Sequence, residues 1–281
     1  MSIITLTTDF GLKDHFVGAL KGKIYSQIFD AKIVDISHQI SPFNTIEASY
    51  IVGASYESFP ENTVHLIGVD AELSKENQHV VAFWNNHYFV CADNGILSMM
   101  FLNKPADQLV IVDQNKFYSN SKTDLEVLIY VSCLLANGAQ LSEIGNEFSD
   151  LKNMVDLQPI IATDGNSIRG NVVYIDHFGN AVTNISKTMI DSIGKGRTIE
   201  IPMSAQLNEK KAVPIRQIWR RYSEIADAGD FNVQKYSGLK LAVFNEANLL
   251  EIAVFRSNPN VGSAKTLLGL NYRDVVTVNF E

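Results

Sequence analysis

The sequence predicts an α/β amino-terminal domain with a mainly parallel sheet, followed by a smaller antiparallel, β-barrel-like carboxyl-terminal domain. Short and uniformly apolar runs alternate with helical patterns over roughly the first half of the chain, which is how strands and crossover helices of a parallel sheet read. From about residue 155 the pattern changes to strand-like runs separated by turn residues, with few long helices between them. The change places the domains at residues 1–152 and 153–281.

Three early runs, residues 3–9, 32–35 and 64–70, each end in an aspartate: Asp9, Asp35 and Asp70. They are too short for helices and too evenly apolar for half-exposed strands, so they read as strands covered on both faces. Ligands of open α/β sheets bind outside the carboxyl ends of the strands. A single aspartate there serves equally well as a cap for a helix or turn. Three delivered to one edge favour a ligand site.

Between and after these strands, residues 14–29 carry helical spacing at Phe16, Leu20, Ile24 and Ile28, with Asp14 placed as the cap. A second helix is expected over residues 45–58, before Pro60. Asn85-Asn86 joins the strand-like runs 80–84 and 87–91 as a two-residue hairpin turn, and residues 109–112 form a further strand. Thr123-Asp124-Leu125-Glu126 is a capping box that opens a helix stopped at Asn137-Gly138. In the second domain strands are expected at 167–175, 181–185, 197–201, 239–244, 249–255 and 275–280, with a helix over 213–228 that carries Trp219 and Tyr222 on its apolar side.

The 281-residue chain is long enough for a substantial core, and 46% hydrophobic with 19% charged residues fits an ordered protein. A net charge of -8 argues against a sequence-independent nucleic-acid binder and favours a cationic small molecule. No stretch approaches the roughly 18 apolar residues of a membrane span, and the start of the sequence lacks the basic-then-apolar pattern of a leader. Cys91 and Cys133 lie far apart without Cys or His at metal-ligand spacing, so two reduced, packed thiols are expected. These features predict a cytoplasmic protein that binds neither membrane nor nucleic acid. Three carboxylates without clustered histidines make a poor metal site, and no metal or cofactor is expected.

Several motifs acquire meaning together. They are Thr7-Thr8-Asp9-Phe10-Gly11, Val17-Gly18-Ala19-Leu20-Lys21-Gly22, Ile33-Val34-Asp35-Ile36-Ser37-His38-Gln39-Ile40 and Ala92-Asp93-Asn94-Gly95-Ile96-Leu97. Further along come Tyr174-Ile175-Asp176-His177-Phe178-Gly179-Asn180, Thr183-Asn184-Ile185, Leu250-Glu251-Ile252-Ala253 and Gly262-Ser263-Ala264. In collinear order over nearly the full chain, this set resembles the S-adenosylmethionine hydroxide adenosyltransferases, relatives of the fluorinase and chlorinase enzymes. The resemblance implies a homotrimer whose ligand lies between the first domain of one subunit and the second of its neighbour. It implies cleavage of S-adenosylmethionine, as substrate rather than cofactor, at C5′ of the ribose.

Carried onto this chain, the resemblance gives Asp9 the ribose hydroxyls and Phe43 the methionine or ribose side. Phe178 would lie near adenine, Asn180 would hydrogen-bond its edge, and Asp176 would face the methionine ammonium. Asn245, Glu246, Glu251 and Val254 fall in the carboxyl-domain ligand strip, where some contacts are made by the backbone and side-chain identity matters little. Asp70 stands where the water-using members have Asp and the halogenases Tyr; a carboxylate there suits an activated water and repels halide. Those water-using members combine an Asp, an Arg and a His, and here the second and third positions fall at Asn77 and Thr123. Lys75 replaces the Arg in charge but not in geometry, and His79 is the nearest replacement base, while His38 reads equally well as a site residue or a packed one and His65, inside a strand, reads as structural. Two functions follow as expectations: hydrolysis of S-adenosyl-L-methionine to adenosine and L-methionine, or non-catalytic binding of adenosine or S-adenosylmethionine.

Overall fold

The structure is a computed structural model that describes residues 3–102, 104–118, 122–154, 157–203, 213–227 and 233–281. It divides into two compact units, residues 1–154 and 155–281. The first unit runs β1 (Ile3–Thr8), α1 (Phe16–Gln27), β2 (Lys32–Ser37), α2 (Thr45–Ser55), β3 (Val64–Gly68), β4 (His79–Trp84) and β5 (His87–Ala92). It continues with α3 (Ile96–Met100), β6 (Gln108–Val112), α4 (Gln114–Phe117), α5 (Asp124–Ala136), α6 (Leu141–Ile144) and β7 (Gly145–Glu147).

The sheet order is β2-β1-β3-β5-β4-β6-β7. Pairings among β2, β1, β3 and β5 are parallel, whereas β5-β4, β4-β6 and β6-β7 are antiparallel. The sheet is therefore mixed, which corrects the expectation of a mainly parallel one. The cause lies in a feature the sequence displays: Asn85 (φ 49°) and Asn86 (φ 63°) both take left-handed backbone and make a tight turn, so β4 must run back along β5. Along each central strand alternate residues feed opposite layers. Leu66, Val81 and Val90 join the core under α1 and α5, while Ile67, Val80, Ala82, Phe89 and Cys91 join the core with Ala48, Val52 and Ile96 from α2 and α3. That two-sided burial accounts for the lack of polar–apolar alternation in β1 and β3, whose threonines and His65 are themselves buried. It does not extend to β2, an edge strand that is largely exposed, so the expectation of two covered faces fails there.

Helix α1 also differs from expectation. It opens at Phe16 with His15 as N-cap and no capping side chain, so Asp14 does not cap it. Helix α2 stops at Ser55 and tightens into a short 3₁₀ turn over Tyr56–Ser58 before Pro60. The capping box of α5 forms as expected, with Thr123 Oγ1 accepting from the Glu126 N–H and Glu126 Oε2 from the Thr123 N–H. The chain leaves α5 at Asn137 and turns through Gly138 (φ 94°). Cys91 and Cys133 are free and buried.

The second unit contains β8 (Ile160–Ile161), β9 (Ser167–Ile175), β10 (Ala181–Ser186), α7 (Lys187–Ile193), β11 (Ile199–Glu200) and β12 (Ile218–Trp219). It ends with α8 (Glu224–Asp227), α9 (Val233–Tyr236), β13 (Lys240–Phe244), β14 (Leu249–Val254) and β15 (Val275–Phe280). Its sheet follows β11-β15-β9-β10-β14-β13-β12, with β8 on β9. All pairings are antiparallel except β12-β13. The first half of β9 pairs with β15 and the second with β10. Ile201 after β11 and Ile215 before β12 exchange two backbone hydrogen bonds, so the sheet curls back on itself as a half-barrel. The helix expected over 213–228 is absent among its described residues, Ala228 lying outside them. Ile218 and Trp219 instead add a strand to β13, and only Glu224–Asp227 is helical. Packing of Trp219 and Ile225 against Leu241, Val243, Ala253 and Phe255 overrides the local helical spacing. No helix among the described residues is long and apolar enough to cross a membrane.

Away from the carboxyl edge of the first sheet, His65 is fully buried, with Nδ1 on Thr5 Oγ1 (2.7 Å), Nε2 3.2 Å from His87 Nδ1, and its ring stacked on Phe89. Burial, followed by the neighbouring His87, pulls its pKa down to about 3. A histidine depressed in the folded state contributes stability that is present above its unfolded pKa, near 6.5, and lost as pH falls toward the folded value. Thermal unfolding should therefore show the melting temperature dropping below about pH 6.5, with His65 alone contributing a slope of at most about 1.4 kcal/mol per pH unit. His65→Gln, which does not titrate, should flatten that slope. An unchanged slope would remove His65 as the cause.

Candidate active site

Strands β1 and β3 are parallel neighbours with Thr8 opposite Gly68, so Asp9 and Asp70 leave the sheet at the same carboxyl edge. Asp9 Oδ2 accepts the N–H of Phe43 at 2.9 Å, and its other oxygen has no hydrogen-bond partner among the described residues. Phe43 sits at φ 61° with its side chain exposed. The turn after Asp9 is pinned to the loop after β2. Gly11 N–H donates to the His38 carbonyl at 2.7 Å, and Thr8 Oγ1 lies 2.7 Å from His38 Nδ1. His38 is buried, and its Nε2 stands 3.2 Å from Asp35 Oδ1 without the alignment of a hydrogen bond.

Asp35 does not join the other two aspartates. It lies inside β2, level with Leu6, and its Oδ2 accepts from Lys21 Nζ at 2.6 Å. Burial pushes its pKa up, but the contacts and charges of Lys21 and His38 outweigh that and hold it below the usual value. Lys21 has taken this carboxylate, which leaves Asp9 and Asp70 at the edge.

Asp70 is held by a residue whose role the sequence did not disclose. The buried Asn94 side chain donates from Nδ2 to the carbonyls of Val69 (3.0 Å) and Asp70 (2.9 Å). Asp70 takes φ 46°, left-handed backbone that aspartate tolerates better than most residues. Its carboxylate has no hydrogen-bond partner among the described residues. The following loop is fastened twice more: the Leu73 N–H donates to Asp124 Oδ2 at 2.8 Å, and His79 Nε2 lies 2.8 Å from the Ala71 carbonyl. A carbonyl can only accept, so His79 carries its proton on Nε2 and its Nδ1 accepts from the Tyr118 hydroxyl. Burial lowers the His79 pKa, outweighing the Ala71 carbonyl and Asp124, and both ring nitrogens are occupied. His79 thus positions the loop and is not available as a base.

Asn77 Oδ1 accepts from Lys152 Nζ at 3.1 Å, and its N–H donates to Ser74 Oγ at 3.0 Å. Lys152 is itself clamped through its main chain. Its N–H reaches both carboxylate oxygens of Asp93 (3.0 and 3.1 Å), and its carbonyl accepts from Ser98 Oγ at 2.7 Å. Burial raises the Asp93 pKa, with Lys152 working against it. Thr123 lies apart in employment: its hydroxyl is committed to the cap of α5.

In the second unit the structure gathers four expected residues. Asp176 Oδ1 and Oδ2 accept from the N–H (2.8 Å) and Nδ2 (2.9 Å) of Asn180, closing the turn Asp176-His177-Phe178-Gly179-Asn180. Gly179 has φ 77°, and a Cβ there would lie 2.3 Å from Ser263 Oγ, so only glycine fits. Phe178 projects from the turn, exposed. Glu251 is buried at the centre of the sheet, opposite Val182 and Val243, and its Oε1 accepts from the Tyr222 hydroxyl. Burial raises its pKa and the charge of Asp176 adds to this, while hydrogen bonds with Tyr222, Asn245 and Asn180 oppose it. Asn245 Oδ1 also accepts from the N–H groups of Ala247 and Leu249, both at 3.1 Å, shaping the β13–β14 turn. Glu246 is exposed on that turn. The Val254 side chain packs in the core with Ala242, Leu250 and Ile252, on the face of β14 opposite Glu251. Tyr222 is the partner that sequence reasoning misplaced on a helix. A cavity of about 290 Å³ lined by Val213, Ile215, Trp219, Ile225 and Leu239 includes none of the expected site residues. No group of three or more His, Cys, Asp or Glu able to hold a metal occurs among the described residues.

Family models for the S-adenosylmethionine hydroxide adenosyltransferase N-terminal and C-terminal domains match residues 4–145 and 170–277. The chain is 27% identical to the (R)-S-adenosyl-L-methionine hydrolase of Methanocaldococcus jannaschii over 99% of its own length and 96% of that protein. It is 26% identical to the fluorinase of an Actinoplanes species over 69% of its length and 75% of that protein. The crystal structure of an uncharacterized conserved protein from Thermotoga maritima shares the fold, with a TM-score of 0.78 at 24% identity, covering 99% of this chain and 100% of that one.

Asn94 carries two hydrogen bonds to carbonyls at the end of β3, so Asn94→Ala should destabilise the protein by about 1–3 kcal/mol in denaturant unfolding. A loss well below that range would mean that Asn94 does not hold the Asp70 backbone.

Proposed function

Because the chain belongs to the S-adenosylmethionine hydroxide adenosyltransferase family, we propose that it hydrolyses S-adenosyl-L-methionine at C5′ of the ribose. The observation that carries this reading is the Asp70 carboxylate, unpartnered among the described residues and fixed on left-handed backbone at the edge it shares with Asp9. In the proposed step a water oxygen bonds to C5′ as the C5′–S bond breaks. The bonding pair leaves with sulfur to give neutral L-methionine, and the water proton passes to Asp70, leaving adenosine. The sulfonium is a good cationic leaving group, so the protein's task is to align the water and strengthen it. A carboxylate beside the nucleophile accepts a proton from water and repels halide, which favours hydrolysis over halogenation.

Asp9 is proposed to hold the ribose hydroxyls through the oxygen that Phe43 leaves free. In the second unit Asn180 is proposed to bind the adenine edge and Asp176 the ammonium. Glu251 and Asn245 would act by fixing Asn180 and the neighbouring turn. Thr123 is proposed to act on the site only indirectly, by capping the helix whose Asp124 secures the loop after Asp70.

Adenosine or S-adenosylmethionine should raise the melting temperature of the native protein, since a ligand selective for the folded state stabilises it. Asp9→Ala should abolish that shift, and a shift of full size in the variant would take Asp9 out of the site. Long incubation with labelled S-adenosylmethionine should yield adenosine and methionine by chromatography. Asp70→Asn should lower the rate by about 10²–10⁴-fold, because an amide cannot accept the water's proton. Binding with no adenosine above the buffer control would identify a non-catalytic nucleoside binder instead.

A further inference from the structure

Three of the collinear motifs meet in one chain of contacts that the proposed reaction does not use. Lys21 of α1 donates from Nζ to Asp35 Oδ2 at 2.6 Å, and Asp35 Oδ1 stands 3.2 Å from His38 Nε2. His38 Nδ1 lies 2.7 Å from Thr8 Oγ1, which accepts the Phe10 N–H at 3.4 Å. Chemistry sets the polarity of this chain. His38 Nε2 is buried with no aligned acceptor, so the nearby Asp35 charge decides which ring nitrogen keeps the proton. A carboxylate only accepts, and the proton therefore sits on Nε2. Nδ1 is then bare and takes the Thr8 hydroxyl proton, which leaves the Thr8 lone pairs to the Phe10 N–H. The far end of the same turn is held by the His38 main chain, whose carbonyl accepts from the Gly11 N–H at 2.7 Å. Both His38 and Thr8 are buried, so water does not compete for these groups.

We infer that His38 is a positioning residue for Asp9. It grips the turn Asp9-Phe10-Gly11 through the Thr8 hydroxyl and through its own carbonyl, and Asp35 selects the tautomer that makes the side-chain grip possible. The inference rests on the reading of Asp9 as the ribose acceptor and extends it to residues of α1 and β2. Thr8 and Phe10 flank Asp9, so the peptide on its carboxyl side is the one that Thr8 Oγ1 holds. With that peptide and Gly11 fixed, and Asp9 Oδ2 tied to the Phe43 N–H at 2.9 Å, the other carboxylate oxygen is set in place before a ligand arrives. An acceptor fixed in advance loses less freedom when a ligand hydroxyl meets it, so the grip is expressed as affinity. Asp35 thereby has a task away from the ligand edge. Its exposed pair with Lys21 contributes little by charge alone, and its effect passes through the proton on His38.

Asp35 is exposed on an edge strand, so Asp35→Asn should fold normally. In that variant the Lys21 ammonium takes the amide oxygen, which leaves the amide N–H₂ facing His38 Nε2. The imidazole proton should then move to Nδ1. Histidine labelled with ¹⁵N reports the tautomer, observed at about pH 8 where ordinary imidazoles are neutral and assigned by loss of signal in His38→Gln. The wild-type protein should show Nε2–H, and Asp35→Asn should show Nδ1–H. Adenosine titrated into the full chain should bind about 3- to 10-fold more weakly to Asp35→Asn than to the wild type. Asp35→Glu, which keeps a carboxylate, should restore both readouts. A wild-type His38 protonated on Nδ1, a tautomer unchanged in Asp35→Asn, or undiminished adenosine affinity beside a changed tautomer each overturns the inference and leaves the hydrolase reading intact. A wild-type protein that binds neither adenosine nor S-adenosylmethionine overturns the role given to Asp9, and the inference with it.

Discussion

The first unit's candidate site depends on one side chain. Strand β3 ends at Gly68, and beyond it the carbonyls of Val69 and Asp70 leave the ladder with no strand to receive them. Both are taken by the two hydrogens of a single buried amide, Asn94 Nδ2. Satisfying those carbonyls lets the chain enter left-handed backbone at Asp70 without stranding buried polar groups, a cost that otherwise reaches a few kcal/mol. Everything downstream inherits this anchor. His79 holds Ala71, Asp124 holds Leu73, and Lys152 holds Asn77.

The carboxyl groups of the chain differ in what answers their charge. Asp35 is matched by Lys21, and Glu126 by Lys23. Both are exposed pairs of small energetic worth whose charges are already answered. Asp93 and Glu251 are pushed toward their protonated forms by burial and held by hydrogen bonds, so they organise neighbours. Asp9 and Asp70 differ from all of these in carrying oxygens that the described protein groups leave unused, at one sheet edge. An acceptor-rich edge of this kind suits a ligand bearing hydroxyls and positive charge, and the chain's overall charge of -8 has the same sense.

The loop after β3 is held by contacts from several parts of the first unit. The Thr123 hydroxyl caps α5 and the Asn77 side chain accepts from Lys152, while Asn94 holds the backbone of Asp70. Such a frame is cheap to keep because each of its bonds also satisfies backbone groups that folding would otherwise leave unpaired.

Much of this was legible in the sequence, for physical reasons. Uniform apolar runs marked strands buried on two faces, Asn85-Asn86 marked a hairpin, and Thr123 with Glu126 marked a helix start, because each signal is a local preference the backbone enforces by itself. Collinear motifs pointed to the family whose models match the chain. Tertiary structure decided the rest. It made the sheet mixed and left β2 at an edge, because strand order depends on which neighbours pair and not on any one strand's pattern. It turned the 213–228 pattern into a strand and a single turn of helix, since packing of Trp219 outweighs helical spacing. It withdrew Asp35 by giving it Lys21, sent Val254 to the other core, and brought Tyr222 to Glu251. The tasks of Asn94, His79, Asp124 and Lys152 were invisible in the sequence for one reason: each hydrogen-bonds to a residue distant along the chain, and a partner's identity is set by the fold that brings the two together.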